Sequence, residues 1–185
     1  MPRVDWDKLL PPKEARGIPG VPVPVFIGPF PLKDLIDVDE LVTRHKTDLS
    51  RIKVYLDSGI TASAVAEPWK MVLSINPYAV MSWRIIWGES ANELLYILLA
   101  HETAHLTQPA HILYPEEVPS HHADRKAEMD ATYWEGLQAA KFGWSREKMD
   151  KVLRMFGPAR ERAKWATLPA MSRRAVRVHA YRRHR

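Results

Sequence analysis

No cysteine occurs among the 185 residues. That removes disulfides and every thiolate metal site, so a transition metal has to be held by the 8 histidines and the carboxylates. Side-chain amides are nearly missing too, since Asn76, Asn92, Gln108 and Gln138 are the only four. Few thermolabile side chains and 15 prolines fit a heat-adapted source. Long apolar runs are also lacking: none approaches the ~18 residues of a membrane span. The opening MPRVDWDKLL carries acids where a secretory signal would be apolar. The expectation is a cytoplasmic protein with no membrane contact.

With 46% apolar and 26% charged residues, the chain reads as one globular unit with a real core. Its net charge of +5 is a property of one end. Arg173, Arg174, Arg177, Arg182, Arg183 and Arg185 outweigh it, and no acid follows Glu161. Residues 171–185 therefore form a basic tail, either a solvated terminus or a contact for nucleic acid or an acidic partner. At the other end, residues 1–31 hold 8 of the 15 prolines. GIPGVPVPVFIGPFP predicts an extended arm, apolar enough to lie on something, and one use for it is to cross a cleft as a latency segment.

Between arm and tail, Val38, Leu41, Val42 and His45 follow helical spacing up to about Leu49. RIKVYLD (51–57) and WKMVLSI (69–75) read as strands, the second closed by a turn-prone NPY. Ser90 and Glu93 make a capping box ahead of LLYILLAHETAHL, which is apolar almost all round and predicts a buried central helix ended by Pro109. A second helix is expected from Ser120 to Gly143, with Ala123, Ala127, Ala131, Trp134 and Gln138 on one stripe. Two further helices follow, one from Ser145 to Gly157 and one to about Thr167.

Chemistry concentrates in HETAHLTQPAH (101–111). Four residues apart on a helix, His101 and His105 project from one face and can converge on one ion. Glu102 lies about 100° round, beside that ion, where it can take a proton from a bound water. Candidates for a third ligand are His111, His121, His122, Asp124 and Glu128. Gln108-Pro109 disfavours the tight turn that His111 would need.

This pattern resembles the zincin metallopeptidases. The resemblance covers roughly residues 50–142 and implies an α+β fold in which a small twisted sheet packs on a buried active-site helix, followed by a mostly helical C-terminal part. AEMDATYW resembles the gluzincin and ImmA/IrrE-like pattern, with Glu128 in the ligand position and Ala131 and Trp134 matching the sites that follow. Thr132 replaces the usual acid or amide, which leaves the orientation of His101 to Asp130 or Asp124. His111 would instead match the metzincin layout, and His121 or His122 a Spartan-like one. The implied organisation is a single catalytic domain over 32–170, with metal ligands His101, His105 and Glu128, Zn2+ as cofactor and Glu102 as general base.

The resemblance further implies hydrolysis of a protein or peptide substrate by a metal-activated water. An edge strand, for which WKMVLSI is the candidate, would pair with that substrate. Tyr114, His122 and Tyr133 are candidate oxyanion donors. The competing reading is a regulatory, structural or nucleic-acid-associated protein that keeps the fold with little or no proteolysis.

Overall fold

The computed structural model describes residues 2–9, 24–44, 47–88, 90–115 and 125–149. The basic tail, the expected helices beyond Met149, and the candidates His121, His122 and Asp124 lie outside them. An α+β architecture holds: a four-stranded mixed sheet packs on helices. Strand β1 (Phe26–Pro31) runs antiparallel to β2 (Lys53–Asp57), β2 runs parallel to β4 (Val72–Ile75), and β3 (Ala64–Glu67) runs antiparallel to β4 at the far edge. Period-two alternation turns Val54, Leu56, Leu73 and Ile75 into the core.

Much of the segment expected as an extended arm belongs to the fold. Helix α1 (Trp6–Leu9) buries Leu9, Val25 is buried, and β1 is a sheet edge on the side away from β3. A cleft-crossing role for residues 24–31 is thereby excluded, and residues 10–23 lie outside the described part. Pro29 and Pro31 are tolerated because an edge strand can do without their missing donors. Gly28, at φ 138°, cannot be replaced without strain, since a Cβ there would meet the Val54 carbonyl oxygen at 2.7 Å.

Two expected elements differ. The helix over 37–49 is absent: a 3-10 turn at Val38–Glu40 is followed by irregular chain to Arg44, and a second turn sits at Leu49–Arg51. Asp37 caps the first turn by accepting from Asp39 N–H, and Val42 N–H donates to Gln138 Oε1 instead of continuing a helix. The strand of WKMVLSI shortens to β4 and lies inside the sheet. Trp69 and Met71, at φ 64° and 56°, form the turn that brings β3 back along it, and the edge strand is β3. NPY, for its part, opens a helix. Asn76 caps α2 (Pro77–Trp87) by accepting from Tyr78 and Ala79 N–H, and Pro77 takes the first helical position.

The central helix α3 (Ser90–His105) is buried over most of its length, as its all-round apolar sequence demands. Glu93 does not serve a capping box, because its carboxylate accepts from Trp144 Nε1 and Lys148 Nζ. Tyr96 is fully buried; its hydroxyl accepts from Asp37 N–H and donates to the Arg3 carbonyl, fastening the N-terminal segment to α3. The helix stops at His105, four residues before Pro109, which precedes a single turn, α4 (Ala110–Leu113). Helix α5 (Lys126–Lys141) follows, shorter at its start than expected. Another helix begins at residue 146 and is described to 149.

Candidate metal centre

Helices α3 and α5 meet through small side chains: Ala104 and Ala131, both fully buried, pack with Trp134 and Leu137. Alanine at the contact lets the two backbones approach. Glu128, Ala131 and Glu135 stand at i, i+3 and i+7, on one face of α5, so both carboxylates point toward α3. From α3 the imidazoles of His101 and His105 answer them.

Three atoms converge. His101 Nε2 lies 3.2 Å from His105 Nε2 and 3.3 Å from Glu128 Oε2, and His105 Nε2 lies 3.5 Å from Glu128 Oε1. Each histidine's other nitrogen is committed elsewhere. His101 Nδ1 is 3.2 Å from Glu135 Oε2, and His105 Nδ1 is 2.8 Å from Gln108 Oε1. Both acceptors require Nδ1–H, which turns the Nε2 lone pairs toward each other and toward a carboxylate. Facing lone pairs repel unless a cation joins them. Bonds of about 2.0–2.1 Å in tetrahedral array place neighbouring ligand atoms about 3.3 Å apart, which is the spacing found. Geometry and donor set therefore suit a zinc-type ion held by His101, His105 and Glu128.

The electrostatics agree. Burial disfavours charge on His101, but hydrogen bonds to Glu128 and Glu135 and the field of Glu102 outweigh it, holding its pKa well above the ordinary value. The cluster thus raises even a proton's affinity. Glu102 stands next to these groups without being one of the converging three. It is 8% exposed, and burial pushes its pKa up to about 7, with Glu128 and Glu135 raising it further and His101 opposing. The Ala66 backbone amide on β3 works against that rise. A cleft of about 350 Å³ opens in front, lined by Ala62, Ala64, Val65, Ala66 and Pro68 on one wall and by His101, Glu102, His105, Leu113, Arg125, Ala127 and Glu128 on the other.

Of the third-ligand candidates within the described residues, Glu128 joins the histidines. His111 sits exposed on α4, outside the converging group. Asp130 does not orient His101, the role considered for it. Instead it accepts from Gln108 Nε2 at 3.0 Å and pairs with Arg44 Nε at 2.9 Å, so it steadies the amide that holds His105. The orienting acid of His101 is Glu135, which stands one helical face-repeat beyond Glu128, a spacing visible in the sequence and not used. Tyr114 is exposed and stacks on Trp69, with centroids 5.4 Å apart, while Tyr133 packs edge-on against Trp134. Neither lines the cleft, whereas Arg125, not anticipated, does.

Gln108 is 1% exposed, and its Nε2 also donates to the Ala127 carbonyl at 2.7 Å. Gln108→Ala therefore frees the His105 ring, leaves its buried Nδ1–H without an acceptor, and takes one donor each from the Ala127 carbonyl and Asp130. Zinc affinity is expected to fall roughly 10–100-fold, with stability lower by about 1–3 kcal/mol. Competition titration against a chromophoric chelator and a melting curve measure the two; an unchanged affinity would show that the amide does not orient His105.

Compared with family models, curated proteins and solved structures, the chain has no match.

Proposed function

We propose that the protein is a zinc-dependent metallopeptidase with a zincin-like core, in which Glu102 is the general base. The observation that carries this reading is the triangle of His101 Nε2, His105 Nε2 and a Glu128 oxygen, with edges of 3.2, 3.3 and 3.5 Å, beside a second, buried acid, Glu102, that stays out of it. A purely structural ion site needs no such acid. Three donors among the described residues leave a tetrahedral ion one open position, the mark of a catalytic site rather than a closed structural one. When bound, the ion supplies Lewis acidity, polarising a carbonyl and making a water more acidic.

The remaining work falls to the chain. Glu128 neutralises part of the ion's charge, and Glu135 and Gln108 fix the imidazole rings so that Nε2 faces inward. The Glu102 carboxylate takes a proton from the attacking water and returns it to the leaving amine. Strand β3 offers an unpaired edge along the cleft, against which an extended peptide can add as a further strand.

Cleavage of an unfolded protein such as casein tests the reading. The zinc-loaded chain is expected to cut it, to lose at least 90% of its rate (roughly tenfold) on treatment with a zinc chelator, and to recover on adding zinc but not magnesium, whose oxygen preference the two histidines oppose. Undiminished cleavage by metal-free protein would overturn it.

A further inference from the structure

Among the described residues, Arg125 is the one arginine or lysine lining the cleft. It precedes the first residue of α5, one turn from Glu128, and its Nε is buried without a hydrogen-bond partner. A guanidinium nitrogen stripped of water and left unpaired is a rarity that calls for a missing partner. The described acids nearby do not serve. Glu128 and Glu135 are turned to the histidines, and Glu102 to Ala66 and His101. The opposite wall, Ala62, Ala64, Val65 and Pro68, offers no side-chain acceptor.

We propose that Arg125 binds a carboxylate of the substrate, so that the cleft selects peptides with an anionic group close to the bond that reaches His101 and His105. A planar fork of N–H donors fits a carboxylate in two parallel hydrogen bonds, and peptides carry no other planar anion. Within about 350 Å³ the cleft has room for only a few residues, which keeps the carboxylate near the scissile bond. Its source is either the free C-terminus or an Asp or Glu side chain. The selection of substrates for cleavage rests on the peptidase reading; the binding of the carboxylate does not.

Equilibrium binding to the Glu102→Gln protein, which cannot turn the ligand over, separates the two. Three probes suffice, measured with and without added zinc: N-acetyl-trialanine with a free carboxylate, its C-terminal amide, and that amide with aspartate as the last residue. One of the two anionic probes is expected to bind roughly ten- to hundredfold more tightly than the plain amide. Adding Arg125→Gln should erase the difference, and Arg125→Lys should restore part of it through charge without the fork. Preference for the free acid identifies a terminal carboxylate, and preference for the aspartyl amide an acidic side chain. Equal affinity for all three, absence of binding included, overturns the proposal, as does a preference that survives Arg125→Gln. A preference without zinc uptake or casein cleavage would leave Arg125 in its role and remove the peptidase.

Discussion

Replacing Glu128 with alanine is expected to lower zinc affinity about a hundredfold or more, while His111→Ala leaves it unchanged. Structural zinc sites with four ligands contribute about 10–16 kcal/mol, roughly 3 kcal/mol for each donor, and the loss of one anionic donor falls at or above that share. Glu128 lies within 3.3 and 3.5 Å of the two histidine nitrogens, whereas His111 is exposed on a separate turn. Glu128→Asp should fall between, because the shorter side chain keeps the charge but withdraws its oxygen from an ion that tolerates only about 0.2 Å of error. Isothermal titration of the three variants decides it. Zinc lost from His111→Ala and kept by Glu128→Ala would move the site to the other side of α3.

Glu102→Gln is expected to keep zinc and fold while losing roughly 10²–10⁴ of the turnover, the usual contribution of a positioned base. Glutamine has the same shape, so the packing around the side chain is kept. It also removes a buried charge raised by burial and by Glu128 and Glu135, which should leave the metal-free protein at least as stable as the parent. Loss of activity through unfolding would show the opposite sign in a melting curve. Turnover equal to that of the parent would deprive Glu102 of its role and favour a metal-holding protein without proteolysis.

Helical parts of this fold were easy to read because their signals are local. An apolar run with His101 and His105 four apart specifies both the burial of α3 and the face it turns to α5, and Glu128, Ala131 and Trp134 repeat with a helical period. Strand β3 carried no such signal: ITASAVAE is made of small residues, and only pairing with β4 makes it a strand. The turn that builds it places Trp69 and Met71 at positive φ, which side-chain identity argues against. Likewise the apolar spacing at 38–42 looked helical, but the backbone donor of Val42 is taken by Gln138, 96 residues away. Gln108 was legible only as an obstacle to a turn. That it holds His105 depends on α5 delivering Asp130 and the Ala127 carbonyl to its amide.

The two-helix contact through Ala104 and Ala131 divides the labour of the molecule. Among the described residues, every converging atom and the groups that aim the two imidazoles lie in one stretch from His101 to Glu135, whereas the sheet contributes the facing wall of the cleft. Inheritance can then act on the halves separately. Substitutions in the strands would reshape the wall without disturbing the converging side chains, and the helical pair is a cassette that another small sheet with a free edge could in principle host.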